Sequence, residues 1–208
     1  MHARTMGVLA GIVAALTLAF AVDAAPAARL SLSNRNFRIT WRELKFFDVA
    51  GPSTVCPVTM EGSFHSATMR KVIRALIGYI TRATVNEAAC VGEGRARFLQ
   101  ATLPWHITYA SFSGTLPAIT RMRVLISGIS YESVLNTIPC LFRGEGTLIG
   151  GEFIREAGGA ITGFEFDHST TLPPLPGVCE DFGINGGLER VGTVALLGTT
   201  TRITLTLI

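Results

Sequence analysis

Two carboxylates and a histidine lie close together in GFEFDHST, residues 163–170. Glu165 and Asp167 alternate with phenylalanines, so a β-strand would point both carboxylates to one face, about 7 Å apart. Carboxylates at such a separation can serve glycoside hydrolysis, and His168 could transfer a proton. The same alternation is typical of any strand with one face in water. A hydrolase or isomerase that uses Glu165, Asp167 and a histidine is therefore an alternative to the main hypothesis below.

The histidines could instead bind a metal ion. Beyond residue 24 the chain has His65, His106 and His168, each in or beside a different strand-like segment. Three histidines on neighbouring strands can hold zinc. However, His65 and His106 alternate with large aromatic residues, which puts both on the polar side of their strands, where histidines are usually solvated. We expect no metal site and no cofactor, and keep the three histidines as weak candidates.

Four cysteines, Cys56, Cys90, Cys140 and Cys179, are spaced too widely for a zinc site built from close pairs. An even number in an exported chain predicts two disulfides. Three pairings are possible, and Cys56–Cys90 with Cys140–Cys179 closes the shorter loops. Cys56 and His65 differ by an odd number of residues, so in one strand they face opposite ways and cannot act as nucleophile and base.

The first residues of the chain are typical of a secretory signal. An apolar run, GVLAGIVAALTLAFAV at residues 7–22, follows a short basic start and precedes small residues. We expect residues 1–24 to be a signal peptide and residues 25–208 to form a single secreted, extracytoplasmic β domain with no membrane span. An uncleaved membrane anchor is the alternative.

Composition and motifs exclude several function classes. The net charge of +3 does not indicate nucleic-acid binding. No GxSxG, HExxH, phosphate-binding loop or dinucleotide fingerprint is present. The chain therefore offers no recognisable catalytic motif.

Alternation of apolar and polar residues dominates the segments that carry the candidate histidines, cysteines and carboxylates. It runs through NFRITW at 36–41, VCPVTMEGSFHS at 55–66, WHITYASF at 105–112 and TRITLTLI at 201–208. Clusters of glycine, proline and asparagine separate such segments. The pattern predicts an all-β fold, either an antiparallel β-sandwich or a closed β-barrel.

One segment departs from this alternation. Apolar residues in SATMRKVIRALIGYI recur every three or four positions, with cations between them. Ser66 could cap a helix and Gly78 could end it. The spacing predicts one short amphipathic helix over residues 67–77.

Aromatic residues on the predicted strands offer a possible binding surface. Such side chains could line a barrel mouth or stack on a sugar, although inward-facing aromatics more often form a core. The candidates are Trp41, Trp105, Tyr109 and Phe112.

The phrases CPVTMEGSFHS, LPWHITYASFSGTLP and LLGTTTRITLTLI resemble a group of uncharacterised secreted bacterial all-β proteins. The resemblance implies export and an all-β domain, and it transfers no catalytic residue. We expect an exported, disulfide-stapled domain that binds or forms part of the cell surface or extracellular matrix, with a cell-surface glycan as one possible partner. The alternative is a β-barrel that encloses a small apolar ligand.

Overall fold

Antiparallel β-strands form most of the computed structural model, which describes residues 29–48, 53–92, 94–115, 118–135, 138–167, 171–176, 179 and 186–207. The predicted all-β class is confirmed. The expected signal peptide, residues 1–24, lies outside the described residues.

The described residues contain sixteen strands and two short 3-10 helices, Glu87–Ala89 and Gln100–Thr102. The strands are β1 Leu30–Leu32, β2 Asn36–Asp48, β3 Ser53–Phe64, β4 Thr68–Met69, β5 Leu76–Val85, β6 Val91–Gly92, β7 Gly94–Phe98, β8 Trp105–Thr115, β9 Ala118–Ser127, β10 Ser130–Leu135, β11 Ile138–Arg143, β12 Leu148–Arg155, β13 Ile161–Phe166, β14 Gly186–Glu189, β15 Val191–Leu196 and β16 Leu205–Leu207.

Eight of these strands close into an antiparallel barrel, in the order β2, β15, β13, β12, β9, β8, β5, β3. The barrel closes because β3 pairs with β2 over nearly its whole length, from Asn36 opposite Ser63 to Phe47 opposite Ser53. Closure removes the exposed sheet edges that a sandwich would leave. Of the two predicted architectures, the structure therefore has the barrel.

A small sheet covers each end of the barrel. We call the end near Phe37 the upper end and the end near Phe47 the lower end. At the upper end, the sheet β16–β1–β4 buries four apolar side chains: Leu30, Leu32, Met69 and Leu205. At the lower end, the sheet β11–β10–β7 presses Phe98 and Tyr131 against Phe46, with ring centroids 5.6 and 5.3 Å away.

Aromatic rings fill the barrel between these covers. Phe37 contacts Phe64 and Phe153 at centroid distances of 5.0 and 5.8 Å. Phe164 lies 4.9 Å from Phe153 and 6.1 Å from the indole of Trp41. In β3, buried and half-buried residues alternate without interruption, as the sequence predicted. The interior is therefore the hydrophobic core of the protein.

Two disulfides, Cys56–Cys90 and Cys140–Cys179, staple the lower half of the barrel. The pairing that closes the shorter loops is confirmed. Disulfides of this kind persist in oxidising compartments, which indicates a location outside the cytoplasm. Within the part of the chain that the structure describes, no helix has the length and apolar character needed to cross a membrane.

The predicted helix over residues 67–77 is wrong. Thr68–Met69 forms β4, in which Met69 pairs with Leu30, and β5 begins at Leu76. Arg74 between them has φ of 64°, which a right-handed helix cannot accommodate. This segment contains the end of one strand, a short loop and the start of another strand. Its apolar side chains therefore lie in different surroundings, although their spacing resembles that of a helix. A helix here would also have lost the strand pairing of β4 and β5.

Candidate functional site

Three of the four aromatic residues that the sequence offered as a binding surface lie in the core. Trp41 and Trp105 are 1% and 0% exposed, and Tyr109 is 3% exposed. The indole Nε1 of Trp41 donates to the carbonyl of Arg190 at 2.9 Å, and that of Trp105 donates to Thr102 Oγ1 at the same distance. These polar atoms are already used inside the protein. Phe112 alone of the four is half-buried.

Two of the three histidines flank Tyr79 on the outside of the barrel. Strand register sets Tyr79 of β5 beside His106 of β8, and the chain leaving β3 brings His65 to the other side of Tyr79. The ring of Tyr79 lies 4.6 Å from His65 and 5.1 Å from His106. Both histidines are exposed, as their position on the polar face predicted. Tyr79 joins them through tertiary register, which no local pattern in the sequence reveals.

His168 lies outside the described residues. In the ranges that the structure describes, no three histidine, cysteine or acidic side chains are grouped so that they could hold a metal ion. His65, Tyr79 and His106 form a row of aromatic rings on the outside of the barrel. Such a row could stack against a planar or sugar ligand.

A groove of about 370 Å³ adjoins this row at the upper end of the barrel. His65 forms part of its wall, together with Arg29, Arg70 and Leu76. Arg29 comes from the chain entering β1, whereas Arg70 follows β4 and Leu76 begins β5. The groove exists because β1 and β4 pair in the upper cover, which brings Arg29 and Arg70 to one opening. We call it the basic groove.

The surroundings of the basic groove carry cations without matching acids. Residues 29–35 and 62–86 contain no aspartate or glutamate, and neither does β8. Among the described residues, no ion pair engages Arg29, Arg70, Lys71 or Arg74. Several outward arginines elsewhere on the barrel are paired, as in Arg38 with Glu61 at 2.8 Å. The lining of the basic groove is therefore locally positive, with charge left for an external anion.

A second cluster holds the carboxylates that the hydrolase hypothesis invoked. Glu165 lies directly opposite Glu152 in the β12–β13 pair, and Asp167 follows at the end of β13. Arg121 reaches both glutamates, with N–O distances of 2.7 Å to Glu152 and 3.5 Å to Glu165. Arg123 pairs with Asp167. These residues line an open depression of about 310 Å³ on the outer wall.

The arrangement of this cluster is that of an ion-pair ladder. Its hydrogen bond with Glu152 is the main cause that raises the pKa of the Arg121 guanidinium above its ordinary value. Strands β12 and β9 separate β13 from β8, and the register shifts His106 further along the sheet, which puts it at least about 14 Å from the carboxylates. Glu165 and Asp167 do share one face, as predicted, but His65 and His106 do not join them there. The carboxylates of Glu165 and Asp167, which would transfer a substrate proton, already form ion pairs with arginine.

Sequence reasoning did not single out the basic groove or the ion-pair ladder. Arg29 and Arg70 are 41 residues apart in the chain, and each looks like an ordinary surface cation. The one available signal was the absence of acidic residues over a long stretch around His65. No protein-family model, curated protein or solved structure matches this chain.

Proposed function

We propose that this protein is an exported, non-enzymatic binding domain that binds an anionic ligand in the basic groove on its outer surface. The carrying observation is that Arg29, His65 and Arg70 line one opening whose lining residues include no acid. In this proposal residues 1–24 are the leader and residues 25–208 the exported domain. The oxidising location that the disulfides indicate is consistent with it.

The filled interior supports a binding site on the outside. A barrel that holds a ligand needs a lumen that its side chains leave open. Here the ring of Phe153 contacts the rings of Phe37 and Phe164 inside the barrel, and small sheets cover both ends. The alternative of an enclosed apolar ligand gains no support from this packing.

The chemistry of the groove favours a negatively charged cell-surface glycan as the ligand. Arginine binds carboxylate and sulfate groups through paired hydrogen bonds, and two arginines from separate parts of the chain can hold two such groups. The row of His65, Tyr79 and His106 beside the groove offers aromatic rings of the kind that pack against sugar rings. The closed barrel provides a rigid scaffold, so that little conformational entropy is lost on binding.

The test compares binding of dextran sulfate and neutral dextran to purified residues 25–208 by isothermal titration calorimetry. We expect binding to the sulfated polymer alone. Arg29→Gln with Arg70→Gln should weaken it by roughly tenfold or more, because each charged hydrogen bond contributes appreciably. The matched control is Arg42→Gln with Arg95→Gln, which removes the same charge from exposed positions away from the groove.

The control separates a groove from a general attraction between charges. The Arg42 and Arg95 variant should bind dextran sulfate within about twofold of wild type, since surface charge alone contributes little at physiological salt. Equal weakening in both variants, or no binding by the wild type, would overturn the proposal. The thermal midpoint of each variant establishes that the fold is unchanged.

A further inference from the structure

A short loop beside the basic groove exposes aliphatic side chains that a folded protein usually buries. Residues 71–74, which we call the docking loop, contain Val72 and Ile73, with 55% and 70% of their surface exposed. Leu76, just beyond the loop, is 43% exposed. Adjacent exposed aliphatic residues of this size often mark an interaction surface.

The docking loop is held in this conformation by hydrogen bonds and packing. The amide of Arg74 donates to the carbonyl of Tyr109 at 2.8 Å, and the amide of Ala75 donates to the carbonyl of Val72 at 3.0 Å. The ammonium group of Lys71 lies 5.1 Å from the centre of the Phe112 ring. The loop is thus anchored to β8, and its anchoring leaves Val72 and Ile73 pointing away from the barrel.

Cations flank the exposed aliphatic pair on both sides. Lys71 precedes it and Arg74 follows it, and the stretch from residue 62 to residue 86 contains no acidic residue. Among the described residues neither cation forms an ion pair. Aliphatic side chains between cations match the interface of an anionic bilayer, where acyl chains take up the apolar groups and phosphate groups attract the charges.

The geometry points to a second role for the upper end: we propose that the docking loop binds the surface of a bilayer that contains anionic lipids. A soluble polyanion would need only Lys71 and Arg74 and would give Val72 and Ile73 no role.

This inference goes beyond ligand binding in the basic groove and uses different residues. Docking by Val72 and Ile73 would hold the groove close to the membrane surface, where an anionic glycan is attached or secreted. The two proposals can fail separately, because the groove depends on Arg29 and Arg70, whereas docking depends on the loop.

The experiment measures co-sedimentation of residues 25–208 with phosphatidylcholine vesicles, with and without phosphatidylglycerol. We expect binding only to the anionic vesicles. Val72→Ser with Ile73→Ser should weaken this binding by about tenfold or more, because each aliphatic side chain loses its transfer into the interface. Lys71→Gln with Arg74→Gln should also weaken it, by removing the attraction to lipid phosphate.

Matched controls come from other exposed valines of the barrel. Val91 and Val191 are 72% and 54% exposed and lie in β6 and β15. Val91→Ser with Val191→Ser should bind anionic vesicles as wild type does. Loss of binding in this control equal to that in the loop variant would overturn the proposal, as would unchanged binding by the loop variant.

Fluorescence gives an independent readout of insertion. Because Trp41 and Trp105 are buried, an Ile73→Trp variant carries one exposed indole whose emission reports on the loop. We expect its emission to shift to shorter wavelength with anionic vesicles and to remain unshifted with dextran sulfate. A shift with dextran sulfate, or none with vesicles, would contradict insertion into lipid.

Discussion

The indole of Trp41 lies nearly flat on the ring of Phe166, with centroids 5.6 Å apart and planes inclined by 13°. This stack belongs to the aromatic core, and the indole also donates a hydrogen bond to the carbonyl of Arg190 just before β15. Trp41 therefore ties β2 to the start of its neighbour in the closed barrel. The close approach is possible because residue 192, under the indole, has no side chain.

Replacing Gly192 with alanine should destabilise the protein. A Cβ atom at this position would lie 2.6 Å from the indole of Trp41, which is buried and cannot move aside without disturbing Phe166. Overpacking of this kind costs about 1–3 kcal/mol of unfolding free energy. Urea denaturation of Gly192→Ala measures it. Gly158→Ala is the control, because a Cβ there would meet nothing within 4 Å, and an equal loss in the two variants would contradict the packing explanation.

Removing the Cys56–Cys90 disulfide should lower the free energy of unfolding by roughly 3–4 kcal/mol, the chain-entropy value for a loop of this length. The bond joins residues separated by 34 positions and restricts the conformations of the unfolded chain between them. The double variant Cys56→Ala with Cys90→Ala, compared with wild type by urea denaturation, gives the loss. Replacing Cys140 and Cys179, separated by 39 positions, should cost a similar amount. Stability unaffected by both pairs of substitutions would rule out the staples as a source of stability.

Tyr109 should ionise only at strongly alkaline pH in the folded protein. Burial raises the pKa of its phenol above the ordinary value of about 10, because the phenolate would lose its hydration. Because the pKa is higher in the folded state, Tyr109 makes its full contribution to the free energy of unfolding below about pH 10, the ordinary pKa of tyrosine. This contribution is lost as the pH rises through the pKa of the folded protein. The difference in phenolate absorbance between wild type and Tyr109→Phe isolates this titration. A phenolate signal from Tyr109 at or below pH of about 10 in folded protein would contradict the expectation.

Local polarity patterns predicted the strands well. In β3 the alternation correctly placed Cys56, Val58 and Met60 inside and Glu61 outside. The alternation of Glu165 with the flanking phenylalanines was also correct, since it needs only the two-residue period of a strand. Such predictions succeed because successive side chains of a strand point to opposite faces of the sheet, which the local sequence alone reveals.

The docking loop shows where this approach fails. Spacing of three and four residues predicted a helix over 67–77, but Met69 pairs with Leu30 and Leu76 pairs with Thr108 of β8. Both partners are far away in the chain, and their strand pairing outweighs the local periodicity. The exposed side chains of Val72 and Ile73 followed from this difference, so the sequence alone could not reveal them.

The sequence by itself determined the all-β class, the inward and outward faces of the strands, and a set of cysteines suited to two disulfides. Tertiary structure alone decided that β2 and β3 close a barrel and that Arg29 and Arg70 line one groove. It also decided that His65 and His106 flank Tyr79. The physical reason is that facing direction is set by adjacent residues, whereas register and closure depend on hydrogen bonds between strands that the chain brings together from distant positions.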